Sequence, residues 1–235
     1  MSVRLALASK THSDDEVQSA PTDTIKTGMP RSLEVILALI ALALSIPLLV
    51  LAVLAIRLSS RGRVIFHQTR VGQQGRPFVL FKIRTMRISP EPGAGFTAAD
   101  DSRVLRAGKW LRRTKVDELP ELWNVIKGDM SLVGPRPEVP RYVDMENPLW
   151  KIVLEARPGI TDPVTLSLRN EETLLSQVNG DREEFYLRTL QRYKLEGYVS
   201  YLRQRSFWRD VKVLCQTFGA VVVPRTTLPP TIKGI

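Results

Sequence analysis

Sulfur and imidazole chemistry are almost missing from this chain of 235 residues: Cys215 is its only cysteine, and His12 and His67 are its only histidines. One cysteine cannot close an intramolecular disulfide or supply a cysteine-based zinc site, so a reducing compartment fits. Neither histidine has a partner at ligand spacing, and neither is a candidate catalytic group. Cys215 reads as a small buried hydrophobe. There is no G-X-Y period and no cysteine-rich pattern, while 43% hydrophobic and 25% charged residues are the proportions of a folded domain.

Charge of one sign is scarce in one place. Residues 57–116 hold 14 Lys or Arg against only Glu91, Asp100 and Asp101, a net of +11, slightly more than the +10 of the whole chain. A positive field confined to one stretch implies a localised anionic ligand: a phosphorylated molecule, nucleic acid or an anionic membrane. Residues 1–30 show no helical or strand period and read as a mobile tail, with residues 223–235 as a second tail.

Charge of either sign is missing from Val35 to Ile56, 22 residues reading VILALIALALSIPLLVLAVLAI. At about 1.5 Å per residue, such a helix reaches roughly 33 Å, a bilayer's hydrocarbon thickness. It continues directly into Arg57, Arg61 and Arg63, unlike a signal peptide with its small-residue cleavage site. The cationic downstream flank belongs on the cytoplasmic side. Pro47 removes an N–H and predicts a kink, with the Ser45 hydroxyl placed to satisfy a freed backbone group. From these residues, a single span and a re-entrant helix both stay open.

After it, RVIFHQTRVGQQGRPFVLFKIRTM reads as a β-hairpin around VGQQG, SPEPGAGFTAADD as a long loop or lid, and Arg103 to Arg113 as a helix. In DELPELWNVIKGDMSLVGPRP, Pro120 belongs to the first turn of a helix, with Leu119, Leu122, Trp123 and Ile126 along one stripe and Gly128 past the end. Asp117 and Glu118 then stand at a helix N-terminus. Acidic residues there commonly cap free N–H groups. Facing a +11 block, they also have the composition to hold Mg²⁺ beside a diphosphate, or to supply a carboxylate nucleophile. Arg136, between two prolines in GPRP, is a guanidinium fixed for phosphate contact. Tyr201 to Val222 reads as one helix with Trp208, Val211, Phe218 and Val222 on a stripe, suited to a membrane surface or to core packing.

The blocks RVIFHQTRVGQQGRPFVLFKIRTM, DSRVLRAGKWLRRTKVDELPELWNVIKGDMSLVGPRPE, RPGIT and YLRQRSFWRDVKVL, in this order, resemble the bacterial sugar transferases of the monotopic polyprenyl-phosphate phosphoglycosyl transferase type. The resemblance runs from about Arg31 to Phe218. It implies transfer of a sugar-1-phosphate from a nucleotide diphosphate sugar, usually a UDP-sugar, to undecaprenyl phosphate with release of UMP. Asp117 would be the nucleophile that carries the phosphosugar, and Asp117 and Glu118 would hold Mg²⁺. Lys82 and Arg84 in FKIRTM, Arg112, Arg136 and Arg157 match substrate-binding positions. The family's usual sequence after GIT is replaced by DPVTLSLRNEE; Arg169 falls where a phosphate-contacting arginine is expected, and Asp162-Pro163 stand for a Gly-Trp pair. Lys115-Val116 replaces the usual Ser-Leu before the dyad.

The resemblance also turns the membrane reading toward a re-entrant helix, residues 31–57, broken near Pro47 and followed by a cytoplasmic catalytic domain over 58–222. The fold expected is α+β and mainly helical, on the cytoplasmic face of the bacterial inner membrane. The partners expected are a UDP-sugar, undecaprenyl phosphate and phospholipid, with a homo-oligomer possible and no nucleic acid. The rival reading is a basic, membrane-tethered binding module in which Asp117 and Glu118 only cap a helix; it lacks a recognisable nucleic-acid fold or stacking motif.

Overall fold

The computed structural model describes residues 25–87 and 97–222. Of the tails expected over 1–30 and 223–235, residues 1–24 and 223–235 lie outside the described residues, as do residues 88–96 of the Gly- and Pro-rich loop; within 25–30 the tail reading fails at Met29, which is buried and donates its N–H to Asp210 at 2.9 Å. The fold is mixed and mostly helical, as expected.

Helix α1 (Arg31–Ser59) is 29 residues long and apolar enough to cross a membrane. Pro47 lies inside it with helical backbone on both sides, so no gap opens at the expected break. The Ser45 hydroxyl donates to the Leu42 carbonyl at 2.9 Å. Its buried residues, Glu34, Ala38, Ser45, Ala52 and Ile56, recur at spacings of four and seven and make one continuous stripe. Leu39, Leu44, Leu51 and Leu58 are exposed elsewhere on its surface.

Both ends of α1 are fastened to the same body. At its start, Arg31 donates to the Met130 and Val125 carbonyls and pairs with Glu34 at 3.3 Å. Buried Glu34 also accepts the Leu132 N–H. At its end, Ala52 and Ile56 pack with Val64, Ile83, Leu105, Leu111 and Val116.

Strands β1 (Ile65–Val71) and β2 (Pro77–Ile83) form the expected antiparallel hairpin, with Val71 opposite Pro77. Its loop closes with positive φ at Gln74 and Gly75. Helix α2 (Arg106–Thr114) is followed by a 3₁₀ turn, Val116–Glu118, and by α3 (Glu121–Lys127). Gly128 ends α3 at φ 99°, as expected of a glycine just beyond a helix. Trp123, however, is 50% exposed, and Val125 and Asn124 fill the core instead. The side-chain amide of Asn124 binds the Val79 carbonyl at 2.7 Å and its carbonyl oxygen accepts the Phe81 N–H at 3.1 Å, pinning α3 onto β2.

Strand β3 (Ser131–Val133) pairs in parallel with β4 (Gly159–Thr161), with α4 (Pro148–Glu155) between them in sequence. Short helices α5 (Pro163–Ser167), α6 (Glu171–Ser176) and α7 (Arg182–Phe185) follow, then α8 (Gln191–Arg203) and α9 (Phe207–Val222). The single helix expected from Tyr201 to Val222 is thus two, separated at Gln204–Ser206. Buried Asp210 holds the corner: it accepts from Tyr201 Oη at 2.6 Å, Arg205 Nε at 3.2 Å and the Met29 N–H at 2.9 Å, just before α1. Along α9, Phe207, Val211 and Leu214 pack on the core, while Trp208 and Phe218 are exposed. Cys215 is exposed on this helix and not buried.

Candidate active site

The site begins where α2 stops. Lys115 adopts the left-handed conformation, φ 59°, and its N–H closes back on the Arg112 and Leu111 carbonyls. The chain then makes one tight turn before Pro120, which caps α3 and needs no N–H partner. Asp117 and Glu118 therefore occupy a separate 3₁₀ turn between two helices, not the first turn of α3. Val116 is buried against the end of α1, which leaves Asp117 almost buried and Glu118 facing the basic residues.

Two other segments meet this turn. Strand β2 brings Lys82, and the β3–β4 pairing brings Arg136. That pairing depends on two glycines: a Cβ on Gly159 would stand 2.1 Å from the Gly134 nitrogen, and one on Gly134 would stand 2.6 Å from the Arg157 carbonyl. Only glycine allows the GPRP and RPGIT loops to cross this closely.

Glu118 is the hub. Its carboxylate lies 2.6 Å from Arg136 Nη2, 3.2 Å from Lys82 Nζ and 3.7 Å from Lys115 Nζ. Burial opposes its charge, but Arg136, Lys115 and Lys82 hold the carboxyl well below its ordinary value. For Arg136 burial likewise opposes the charge, and Glu118 with Glu121 keeps the guanidinium above its usual range. Arg136 is steadied by a bond to the Ile160 carbonyl at 3.2 Å.

Asp117 goes the other way. Burial, reinforced by the neighbouring Glu118 charge, raises its carboxyl to about 6, against partial relief from Lys82, Lys115 and Arg112. Its Oδ1 is buried with no hydrogen-bond partner. Two adjacent carboxylates driven apart in acidity are a recurring mark of divided chemical roles.

Glu121, one turn further along α3, was not singled out by the sequence motif. It is 1% exposed, and its Oε1 lies 3.1 Å from Lys82 Nζ, yet neither of its oxygens makes a hydrogen bond. Its second place in the DELPE pattern was the only signal, and a glutamate early in a helix ordinarily faces solvent.

The remaining expected residues divide. Arg112 stands at the edge of the site: Nε donates to Thr85 Oγ1 and Nη1 to Glu172 Oε1, both at 2.8 Å, and its charge reaches Asp117. Arg84 points away along β2. It is buried, and it donates to the Arg61 carbonyl at 2.8 Å and the Ser60 carbonyl at 3.0 Å, clasping the chain where α1 ends. Arg169 donates to the Ala220 carbonyl at 2.8 Å, at the far end of α9. Among the described residues Arg157 has no side-chain hydrogen-bond partner; burial and nearby Arg31 lower its pKa, which places it beside the start of α1. Asp162 caps α5, accepting the Val164 and Thr165 N–H groups, with Pro163 in the first helical position.

Among the described residues, no three acidic, histidine or cysteine side chains converge as a ready-made metal cage. The donor chemistry still suits a hard cation: among the described residues Asp117 Oδ1 is a buried acceptor without a hydrogen bond, and the Glu118 carboxylate stands next to it in the same turn. Mg²⁺ characteristically takes one or two carboxylates and completes its shell with phosphate and water oxygens.

A helix long and apolar enough to cross a membrane lies on a small domain in which a buried carboxylate stands beside a cationic cluster. The sequence model described as "Bacterial sugar transferase" matches residues 25–224, and the chain belongs to that family. It is 38% identical over 196 residues to the UDP-glucose:undecaprenyl-phosphate glucose-1-phosphate transferase of Caulobacter vibrioides, covering 82% of this chain and 69% of that protein. It is 33% identical over 213 residues to the UDP-N-acetylgalactosamine-undecaprenyl-phosphate N-acetylgalactosaminephosphotransferase of Aeromonas hydrophila, covering 89% of this chain but 47% of that protein. With the Escherichia coli UDP-glucose:undecaprenyl-phosphate glucose-1-phosphate transferase it shares 33% over 201 residues, 84% of this chain and 41% of the relative. The chain thus spans less than half of two of these three proteins. Membership of a transferase family displaces the reading of a binding module without catalysis.

Proposed function

We propose that the protein transfers a sugar-1-phosphate from a UDP-sugar to undecaprenyl phosphate through a covalent phosphosugar on Asp117. The observation that carries this reading is the contrast between the two adjacent carboxylates. Asp117 is raised to about 6, so it is ionised at neutral pH yet more basic, hence more nucleophilic, than an ordinary aspartate. It is also held beside the cations that a diphosphate requires. The names of the relatives supply the substrate classes.

In the first half-reaction an Asp117 oxygen attacks the β-phosphorus, the bond from that phosphorus to the bridging oxygen breaks, and UMP leaves. In the second, a phosphate oxygen of undecaprenyl phosphate attacks the same phosphorus and Asp117 leaves as carboxylate. Arg136 and Lys82 turn from Glu118 to the donor phosphates and offset their charge, with Arg112 guarding the outer edge. Mg²⁺ supplies further charge neutralisation when bound, and Asp117 and Glu118 would hold it. Arg84 and Arg169 serve this reaction by fixing the end of α1 and α9, because the contacts of each lie there.

The membrane reading belongs with this function. Helix α1 packs along the domain from Arg31 to Ile56 with one stripe, which supports a helix that enters and leaves the cytoplasmic leaflet over a span across both. The exposed Trp208 and Phe218 of α9 add a second apolar contact with the bilayer.

The test is a single-turnover experiment. Purified protein, Mg²⁺ and a panel of UDP-sugars labelled in the sugar, without lipid acceptor, should yield one equivalent of UMP and a protein-bound label that undecaprenyl phosphate then discharges. Asp117→Asn and EDTA should each abolish both. UMP release without labelled protein would overturn the covalent step and leave direct transfer.

A further inference from the structure

Glu121 stands outside the roles assigned so far. A carboxylate this deeply buried, facing one ammonium at 3.1 Å and accepting no hydrogen bond, is expensive to keep. Glu118, by contrast, shares three cations. The two glutamates grip Lys82 from two sides, Glu118 from the partly open side and Glu121 from the closed one; their side chains are 13% and 1% exposed. An arriving diphosphate competes with Glu118 for Lys82 and Arg136, whereas it cannot reach Glu121.

We infer that Glu121 is a positioning residue for Lys82: it anchors the ammonium from beneath, so that Lys82 stays aimed into the site when phosphate displaces it from Glu118. This rests on the reading of the site as a nucleotide-diphosphate site. Without the buried charge, Lys82 is left with Glu118 alone. The donor must then break the remaining ion pair and receives a less fixed cation. The loss should appear in binding of the diphosphate group and act mainly through Lys82, the cation Glu121 contacts, while Arg136 feels its charge only at longer range.

The experiment is a double-mutant cycle on the full-length protein, with Glu121→Gln, Lys82→Met and the pair, using UDP binding by calorimetry in the presence of Mg²⁺ as probe. A single charge-assisted contact corresponds to roughly tenfold or more in affinity. Glu121→Gln should therefore weaken UDP about tenfold while its melting temperature stays close to that of the parent. Adding it to Lys82→Met should cost far less than the tenfold it costs in the parent. Lys82→Met alone strands a buried carboxylate and should melt earlier, and the double variant should recover that loss. Undiminished UDP binding in Glu121→Gln, or losses that simply add in the double variant, would overturn the inference. Parallel turnover assays separate it from the parent reading. Non-additive UDP binding without any sugar transfer would uphold Glu121 and sink the transferase chemistry; transfer with an additive cycle would do the reverse. Failure of the parent protein to bind UDP would overturn the inference as well.

Discussion

At the scale of single residues, the site trades stability for reactivity. The Asp117 carboxyl rises from an ordinary 3.8 to about 6 in the folded protein, so the fold favours its neutral form. The contribution is therefore fully present below about pH 4 and is lost as pH rises through 6, a cost on the order of 3 kcal/mol at neutral pH. Replacing Asp117 by Asn, neutral at every pH, should raise the melting temperature in EDTA at pH 8, by an amount corresponding to about 1–3 kcal/mol, while abolishing turnover. The gain should shrink toward pH 4, and a destabilised or pH-independent Asn variant would contradict it. The importance of this position was legible in the sequence, because DELPELWNV and GPRP come in order within a longer set of blocks. Glu121 was not legible, since burial of a helix-start glutamate depends on Lys82, 39 positions earlier in the chain. Nor was the work of Arg84: a guanidinium read as phosphate-seeking finds the Ser60 and Arg61 carbonyls, which only the fold brings near.

At the scale of elements, the same strand serves site and anchor. Successive residues at the end of β2 face opposite ways: Lys82 meets Glu118 and Ile83 packs beside Ile56, while Arg84, one residue past the strand, takes the carbonyls after α1. Arg84→Met should keep the hydrophobic stem but strand two carbonyls, costing about 2–4 kcal/mol. Thermal melting should report that loss, with donor KM little changed in the protein that remains folded; a selective rise in KM would return Arg84 to substrate binding. Gly159→Ala should cost about 3 kcal/mol or more, because its methyl meets backbone that cannot swing aside. The hairpin, α2 and the end of α3 were legible from turn residues and periodicity. The break between α8 and α9 was overlooked: its one signal is Ser206, which stands just before α9 and accepts the Arg209 N–H at 3.3 Å. Asp210 makes that corner by drawing in Arg205 and the Met29 N–H.

At the scale of the whole molecule, the placement of α1 is what supports the re-entrant reading proposed above. A helix spanning both leaflets would leave the domain behind after one end, yet here Arg31 bonds to Val125 and Met130 at one end and Ile56 packs on Leu111 and Val116 at the other. Composition allows a membrane helix in either topology; the stripe from Glu34 to Ile56 favours the re-entrant reading, because it requires a domain to pack against. The exposed Arg57, Arg61 and Arg63 then follow on the same side as Lys26. In a Cys215→Ser background, Lys26→Cys and Arg61→Cys should therefore both react with a membrane-impermeant maleimide in inverted inner-membrane vesicles, and neither should react in intact spheroplasts. The background substitution is needed because Cys215 is itself exposed. Labelling of Lys26→Cys from the spheroplast exterior would establish a full span. It would also mean that the start of α1 is not seated on Val125 and Met130, so Glu34→Gln should then leave the melting temperature unchanged, whereas loss of the Leu132 N–H contact should lower it if α1 is seated there.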